Sequence, residues 1–448
     1  MSRPPYSPAV GPAVTHRHSL KTLCLVAAGG ALEFYDFVIF IFVADFIATL
    51  FFPPHLPAWL VSVQTFGIFA TGYLFRPLGG VVFAHFGDLF GRRNVFLFSI
   101  LLMASSTLSM AFLPDYSEIG IAAPVILMLL RILQGIAIGG EVPGAWTFAS
   151  EHIAPERVGF ACGIVGAGLA FGVFLGSVVM ETITTTLSTE DMLHFGWRLP
   201  FLLGGMLGVI AVYLRRMLHE TPVFMALRAH RSLIPEPPLR TVLKHYRGGI
   251  VISVLCTWVV AACVLTLSLL MPTILQKLHY IGRLETLTIT SISAAFRMLA
   301  VILAGIAVDY AGPASVFIVG GGLLAAGACA LATLESTGMN YLCIVSAVIG
   351  LSGAVATAVP VVMIRSFPPQ VRFSGVSFSY TVSYAVFGGA LPLCMAALSE
   401  DNALAHVYFL LCVSAGAVII GIYLWFSPAI IRYRRHNEDG EPTTSGDE

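Results

Sequence analysis

The sequence predicts an all-α membrane protein with twelve transmembrane helices in two pseudo-symmetric six-helix bundles. First, 57% of the 448 residues are hydrophobic and only 11% are charged, with a mean hydropathy of +0.88. So few charges cannot cover a water-soluble chain of this length, which makes lipid the solvent. Second, twelve runs are long and apolar enough to cross a bilayer core, which takes about 20 residues. Third, a segment repeats at an offset of 221 residues: Arg76-PLGGVVFAHFG-Asp88-LF-Gly91 and Arg297-MLAVILAGIAV-Asp309-YA-Gly312. Each copy sets a basic residue in an apolar run, with an acid and then a glycine at the same spacing. Such repeats mark membrane proteins whose halves rock about a mid-membrane site.

Taken in order, the runs alternate in direction, and lysine and arginine decide which end faces the cytoplasm. The first, 22–50, follows Arg3, Arg17 and Lys21. It is too long for a cleavable signal and carries Glu33 and Asp36. Arg92 and Arg93 join the second, 58–83, to the third, 94–113. The fourth, 121–147, contains Arg131, and Arg157 separates it from the fifth, 158–183. Arg198 opens the sixth, 197–217, and seven basic residues then run from Arg215 to Arg247. Lys277 and Arg283 lie between the seventh, 248–275, and the eighth, 286–308, which is the weakest because Arg297 sits in its middle. The ninth and tenth are 313–334 and 340–364; Arg365 and Arg372 precede the eleventh, 373–398; the twelfth, 402–426, leads to Arg432, Arg434 and Arg435. Eighteen of the 24 basic residues fall on the side of both termini, so both termini are expected in the cytoplasm. The domain reading is a tail, 1–20; a first bundle, 21–217; a linker, 218–247, containing Pro222, Pro235, Pro237 and Pro238; a second bundle, 248–428; and a tail, 429–448. All eight cysteines lie in apolar runs without a C-x-x-C pair, and read as small packed hydrophobes rather than disulfides or metal ligands.

A charge at mid-membrane costs about 2.5–3.5 kcal/mol on insertion scales, so those that persist pair inside the bundle or face water. Glu33 and Asp36 stand three apart on one helical face. Arg131 opens RILQGIAIGGEVPG, in which Gly135 and Gly139 form a smooth strip for close helix approach and Glu141 follows nearer the cytoplasm. Asp36 and Arg131 fall at matching depths in antiparallel spans, which predicts a partnership. A carboxylate beside a guanidinium stays charged, whereas one desolvated and alone takes a proton. Two roles fit: a separable pair that acts as a proton switch, and a permanent ion pair that makes both charges tolerable. Spans 7 and 10 hold no equivalent pair, as suits coupling confined to one half. Between spans 2 and 3, Asp88, Gly91, Arg92 and Arg93 read either as a gate bridging the halves or as a topology anchor.

Six segments in order resemble the major facilitator superfamily, and within it the metabolite:proton symporter family that includes proline/betaine, alpha-ketoglutarate, citrate and shikimate permeases. They are ALEFYDF in span 1, RPLGGVVFAHFGDLFGRR, RILQGIAIGGE, WRLPFLLGG at 197–205, HETPVF at 219–224 and VRFSGVSFSYTVSYAVFGGALPL at 371–393. The resemblance implies the major facilitator fold, with Asp36 and Arg131 as the proton-responsive pair, Glu33 and Glu141 as assisting acids, and Asp88, Gly91, Arg92 and Arg93 as the cytoplasmic gate. Ala84 stands where the pattern has glycine, Leu89 where it has a basic residue, and Pro313 and Ala314 where the second copy would carry arginines.

Substrate-binding candidates near the midplane are Tyr35, Arg76, Gln134, Trp258, Arg297, Tyr380 and Tyr384. Tyr380 and Tyr384 share one face of span 11, and the two arginines could hold a carboxylate as bidentate forks. The expectation is a proton-coupled symporter importing a small polar metabolite, an organic acid or a zwitterion, through a bacterial inner membrane. The rivals are a proton-driven exporter or antiporter of the same fold and a non-transporting membrane sensor. No G-x-S-x-G, H-E-x-x-H or G-x-x-x-x-G-K-[ST] motif is present, which argues against an enzyme and against direct ATP drive. Expected partners are the metabolite, protons and the lipid bilayer, with no nucleic acid, metal or cofactor, and a monomeric state.

Overall fold

The computed structural model describes residues 16–218, 220–229, 238–278, 281–333, 339–402 and 404–426. Among these, ten helices are long and apolar enough to cross a membrane. One of them, Arg283–Ala332, is two spans run together across a kink at Gly312. A further span comprises Arg372–Ser383 and Gly389–Asp401, interrupted by a π turn at Tyr384–Gly388. With those two allowances a helix occupies each of the twelve expected positions. Large apolar side chains such as Phe112, Met206, Tyr310 and Phe426 are exposed on the outer faces, as helices facing acyl chains require.

Span 1 is His16–Phe42, and its expected continuation to residue 50 is a separate short helix, Ala44–Leu50. Span 2 breaks at Phe75 into Ala58–Leu74 and Arg76–Phe90. The cause is Pro77, which lacks the N–H that would continue the helical ladder and sits instead in a new first turn. Spans 3 to 6 are Arg92–Ala111, Ala122–Glu151, Val158–Thr186 and Leu199–Arg216. Span 7 is Arg247–Val264, extended through a π turn at Leu265–Leu269 to Met271–Leu278. Span 10 is Met339–Ser352 and Ala358–Arg365 about a short 3-10 stretch, and span 12 is Ala405–Phe426. Within the expected linker, Pro222–Ala229 and Pro238–His245 are helical. Residues 230–237 and most of both tails lie outside the described residues.

The internal repeat is visible in the backbone. Gly91 (φ 102°, ψ 152°) and Gly312 (φ 81°, ψ 161°) adopt the same conformation at equivalent points. That region is closed to residues with a Cβ, so glycine is what lets spans 2 and 8 end and the next helix begin at once.

Spans 1 to 6 pack among themselves, as do spans 7 to 12, while spans 5 with 8 and 2 with 11 meet across the seam. The Gly135–Gly139 strip works as its spacing predicts. A Cβ on Gly135 would lie 2.2 Å from the Gly72 carbonyl oxygen, and one on Gly139 would lie 2.3 Å from that of Arg76. Spans 2 and 4 therefore touch backbone to backbone.

Candidate functional site

A cavity lies between the two sets of spans. Its walls include Phe34 of span 1, Trp146 of span 4, Cys162 of span 5, Ser268 of span 7, Arg297 of span 8, and Tyr380 and Tyr384 of span 11. Both π turns, Leu265–Leu269 and Tyr384–Gly388, deliver a wall residue, since the extra residue in such a turn re-aims the side chains. The Arg297 guanidinium donates Nη1 to Ser268 Oγ. It lies across Gly353, where a Cβ would sit 2.7 Å from Nε. Its Nε and Nη2 have no acceptor, and neither has Trp146 Nε1. All three belong to residues at most 7% exposed. Three buried N–H donors without acceptors, around an otherwise apolar and aromatic wall, call for a ligand carrying an oxygen anion.

Of the seven substrate candidates, Arg297, Tyr380 and Tyr384 line this cavity, and the other four are employed elsewhere. The Tyr35 hydroxyl donates to Pro200 O at 2.9 Å and ties span 1 to span 6. Trp258 packs on Phe387 and against Gly416 of span 12. Gln134 belongs to a hydrogen-bond chain described below. Arg76 sits behind the wall with its guanidinium carbon 4.6, 4.2 and 4.8 Å from the ring centres of Phe37, Tyr73 and Tyr384. The rings of Tyr73 and Tyr384 stack at 5.8 Å across the seam. The repeat thus places two arginines with different surroundings, one facing the cavity and one caged by aromatic faces.

The direct Asp36–Arg131 partnership is corrected by the structure: no ion pair joins the two among the described residues. Arg131 is fully buried with Phe37 and Phe40 ring centres each 4.5 Å from its guanidinium carbon. It donates Nη1 to Gln134 Oε1 at 2.7 Å and to Phe37 O at 3.3 Å. Gln134 Nε2 in turn donates to Thr107 Oγ1 at 2.8 Å, and the Thr107 hydroxyl donates to Met103 O at 3.1 Å. Thr107 and Asp36 both lie against Gly204 of span 6. The physical reason is depth around the bundle: Asp36 turns toward span 6, where Gly204 leaves room for Oδ1, while Arg131 turns toward spans 1 and 2.

Glu33 and Glu141 meet a cation that the positive-side pattern hid. Arg215, counted among the basic residues at the end of span 6, is 1% exposed and is bonded to Glu141, with Glu33 Oε1 at 3.9 Å. Ser99 Oγ donates to the other Glu141 oxygen at 2.5 Å. Four spans of one half are joined by this cluster.

At the end carrying the termini, both repeat acids reach across the seam. Asp88 Oδ2 accepts from the Ser374 N–H at 3.1 Å and hydroxyl at 2.7 Å, in the first turn of span 11. Asp309 accepts from the N–H groups of Gly159 and Phe160 at 2.6 and 2.8 Å, in the first turn of span 5. Each acid caps a helix of the opposite half, where free N–H groups and the helix dipole favour a carboxylate. Arg372 of span 11 adds an ion pair to Glu151 of span 4 at 3.3 Å. The side chains of Arg92 and Arg93 lie outside the described residues. At the opposite end, Ser177 meets Ser291 at 2.8 Å, Thr288 donates to Glu181 at 2.8 Å, and Arg283 donates to Phe42 O at 3.3 Å. The cavity is bridged on both sides.

A central cavity thus lies between two halves, each latched to the other by its own copy of one motif. Residues 27–391 match the Major Facilitator Superfamily. The chain belongs to this superfamily. It is 31% identical over 428 residues to a Staphylococcus aureus (strain COL) protein named "Putative proline/betaine transporter", covering 93% of this chain and 90% of that one. It is 29% identical over 427 residues to the glycine betaine/proline/ectoine/pipecolic acid transporter OusA of Dickeya dadantii, covering 90% and 83%. Among solved structures it superposes on the proton:xylose symporter XylE with a TM-score of 0.73 at 17% identity, over 92% of this chain and 96% of that one. The superfamily member described here is a multi-pass membrane transporter of small solutes and not an enzyme.

Proposed function

We propose that this transporter is a proton-coupled symporter that imports a small carboxylate-bearing solute, with both termini in the cytoplasm of a bacterial inner membrane. The observation that carries this reading is the pairing of two separate buried features. One is a cavity whose unmatched donors, Arg297 Nε, Arg297 Nη2 and Trp146 Nε1, suit a carboxylate. The other is Asp36, buried off the cavity in span 1 beside the Arg131–Gln134–Thr107 hydrogen-bond chain. The aromatic wall of Phe34, Trp146, Tyr380 and Tyr384 suits an apolar or quaternary-ammonium remainder, in keeping with the names of the relatives. Protonation of Asp36 removes a buried charge from span 1. Span 1 is then free to move with the closing halves, and solute and proton leave together at the cytoplasmic end when the Asp88 and Asp309 caps release.

The test is transport in proteoliposomes with radiolabelled glycine betaine and proline, in the two modes of accumulation under an imposed proton gradient and of equilibrium exchange. The Asp36→Asn variant is expected to lose accumulation and keep exchange. A variant that still concentrates solute under the gradient would overturn the assignment of Asp36, and outward movement driven by the same gradient would replace import by export.

A further inference from the structure

Arg297 leaves span 8 at a point where span 10 is pressed against it. A Cβ on Gly350 would run into the Ser293 carbonyl, one turn before Arg297. One turn after it, Thr357 Oγ1 donates to Val301 O at 3.2 Å. Between these two contacts span 10 carries Gly353, the first residue of its 3-10 stretch. The stem of Arg297 passes through that notch: a Cβ on Gly353 would lie 2.7 Å from Nε and 3.3 Å from both Cγ and Cδ. The tip is held from a third span. Ser268, in the π turn closed by Leu270 N–H on Leu265 O at 2.7 Å, accepts from Nη1. A guanidinium is planar and rigid, so a fixed stem and one fixed amine set the direction of the whole fork. The edge left over, Nε and Nη2, is the one without an acceptor. Two parallel N–H groups on one edge match the two oxygens of a carboxylate better than a single hydroxyl oxygen.

We propose that Ser268 and Gly353 are positioning residues: they fix the angle of the Arg297 fork, and that angle is what lets the cavity select a carboxylate. Neither residue needs to touch the solute. An arginine released from both would keep its charge but spread its donors over many orientations, and each solute would have to order it again on binding. The inference rests on the carboxylate reading of the cavity, and its test is chosen to separate the two.

The experiment is equilibrium exchange of radiolabelled glycine betaine and proline in proteoliposomes, with half-saturation and maximal rate read separately. Ser268→Ala and Gly353→Ala should each raise the half-saturation about tenfold at an unchanged maximal rate, the signature of lost solute binding. Ser268→Thr, which keeps the hydroxyl, should behave as wild type. In an Arg297→Gln background neither alanine should add more than about a factor of two, since each acts through the arginine. Ser268→Ala carries the test alone if Gly353→Ala does not fold. If wild type exchanges neither solute, or Arg297→Gln leaves the half-saturation where it was, the carboxylate reading falls and the inference with it. If Arg297→Gln raises the half-saturation and Ser268→Ala does not, the inference alone is overturned. The same holds if Ser268→Ala costs as much again in the Arg297→Gln background, or if Ser268→Thr is no better than Ser268→Ala.

Discussion

Arg297 and Arg215 show how differently a buried arginine announces itself. Arg297 interrupts an apolar run and stands at the offset of Arg76, so the sequence marks it twice. At the cavity it holds Ser268 with one amine and leaves two buried N–H groups without an acceptor. Replacing it with glutamine should raise the KM for a carboxylate solute about tenfold to a hundredfold, because hydrogen bonds to a charged group are worth about 1.5–3 kcal/mol. Lysine should not restore affinity, since a point charge lacks the planar fork. Concentration-dependent uptake decides this, and an unchanged KM in Arg297→Gln would move the binding role elsewhere. Arg215 was illegible for the opposite reason: it sits among basic residues whose number already explains topology. Only the fold shows it turning inward, past Gly29, to Glu141 and Glu33. Arg215→Met leaves two buried carboxylates without a cation and should destabilise the first half by about 3–5 kcal/mol. Combining it with Glu141→Gln should recover part of the loss. Thermal unfolding in detergent tests this, and equal melting of Arg215→Met and wild type would reduce the cluster to a surface-like pair.

At the scale of elements, the repeat around Arg76 and Arg297 was readable because spacing survives duplication. Both glycines keep the same backbone conformation and both acids perform the same service. What could not be read was the recipient of each cap, since Ser374 and Gly159 are joined to their acids only through packing of distant helices. The Asp36–Arg131 link misled for a related reason. Depth along a span is legible from residue count, whereas rotation about its axis depends on neighbours such as Gly204. Loss of a helix cap costs about 0.5–2 kcal/mol, so removing both should shift the balance of closed and open forms at this end roughly tenfold. The double variant Asp88→Ala, Asp309→Ala should therefore label faster at Cys162 and Cys263, which are buried in the cavity wall, when a small maleimide is added from the cytoplasmic face. Mass spectrometry of the two cysteine peptides reads the rate. Unchanged labelling would mean that Arg372–Glu151 alone holds the end shut.

For the molecule as a whole, the deciding quantity is the sign of charge around the seam. Arg215 meets two carboxylates in its cluster, Glu141 and Glu33, whereas Arg76, Arg131 and Arg297 have no ion-pair partner among the described residues. Aromatic faces temper the first two cations, each such contact being worth about 0.5–2 kcal/mol, and the third lies in the cavity wall. A structure built this way is incomplete until a solute brings negative charge, and burying Asp36 as its neutral acid deepens the deficit. In the symport proposed above, solute and proton are linked by charge: the proton that neutralises Asp36 makes room for the carboxylate that answers Arg297. Binding should follow the carboxylate rather than the remainder of the solute. Glycine betaine and choline share a quaternary ammonium group and differ in having a carboxylate or a hydroxyl. Glycine betaine should raise the melting temperature of the purified protein, by the equivalent of about 2.7 kcal/mol at a hundred times its Kd, and choline should not. The shift should vanish in Arg297→Gln. Equal stabilisation by choline would show that the aromatic wall, and not the arginine, selects the solute, and the charge argument would then fail.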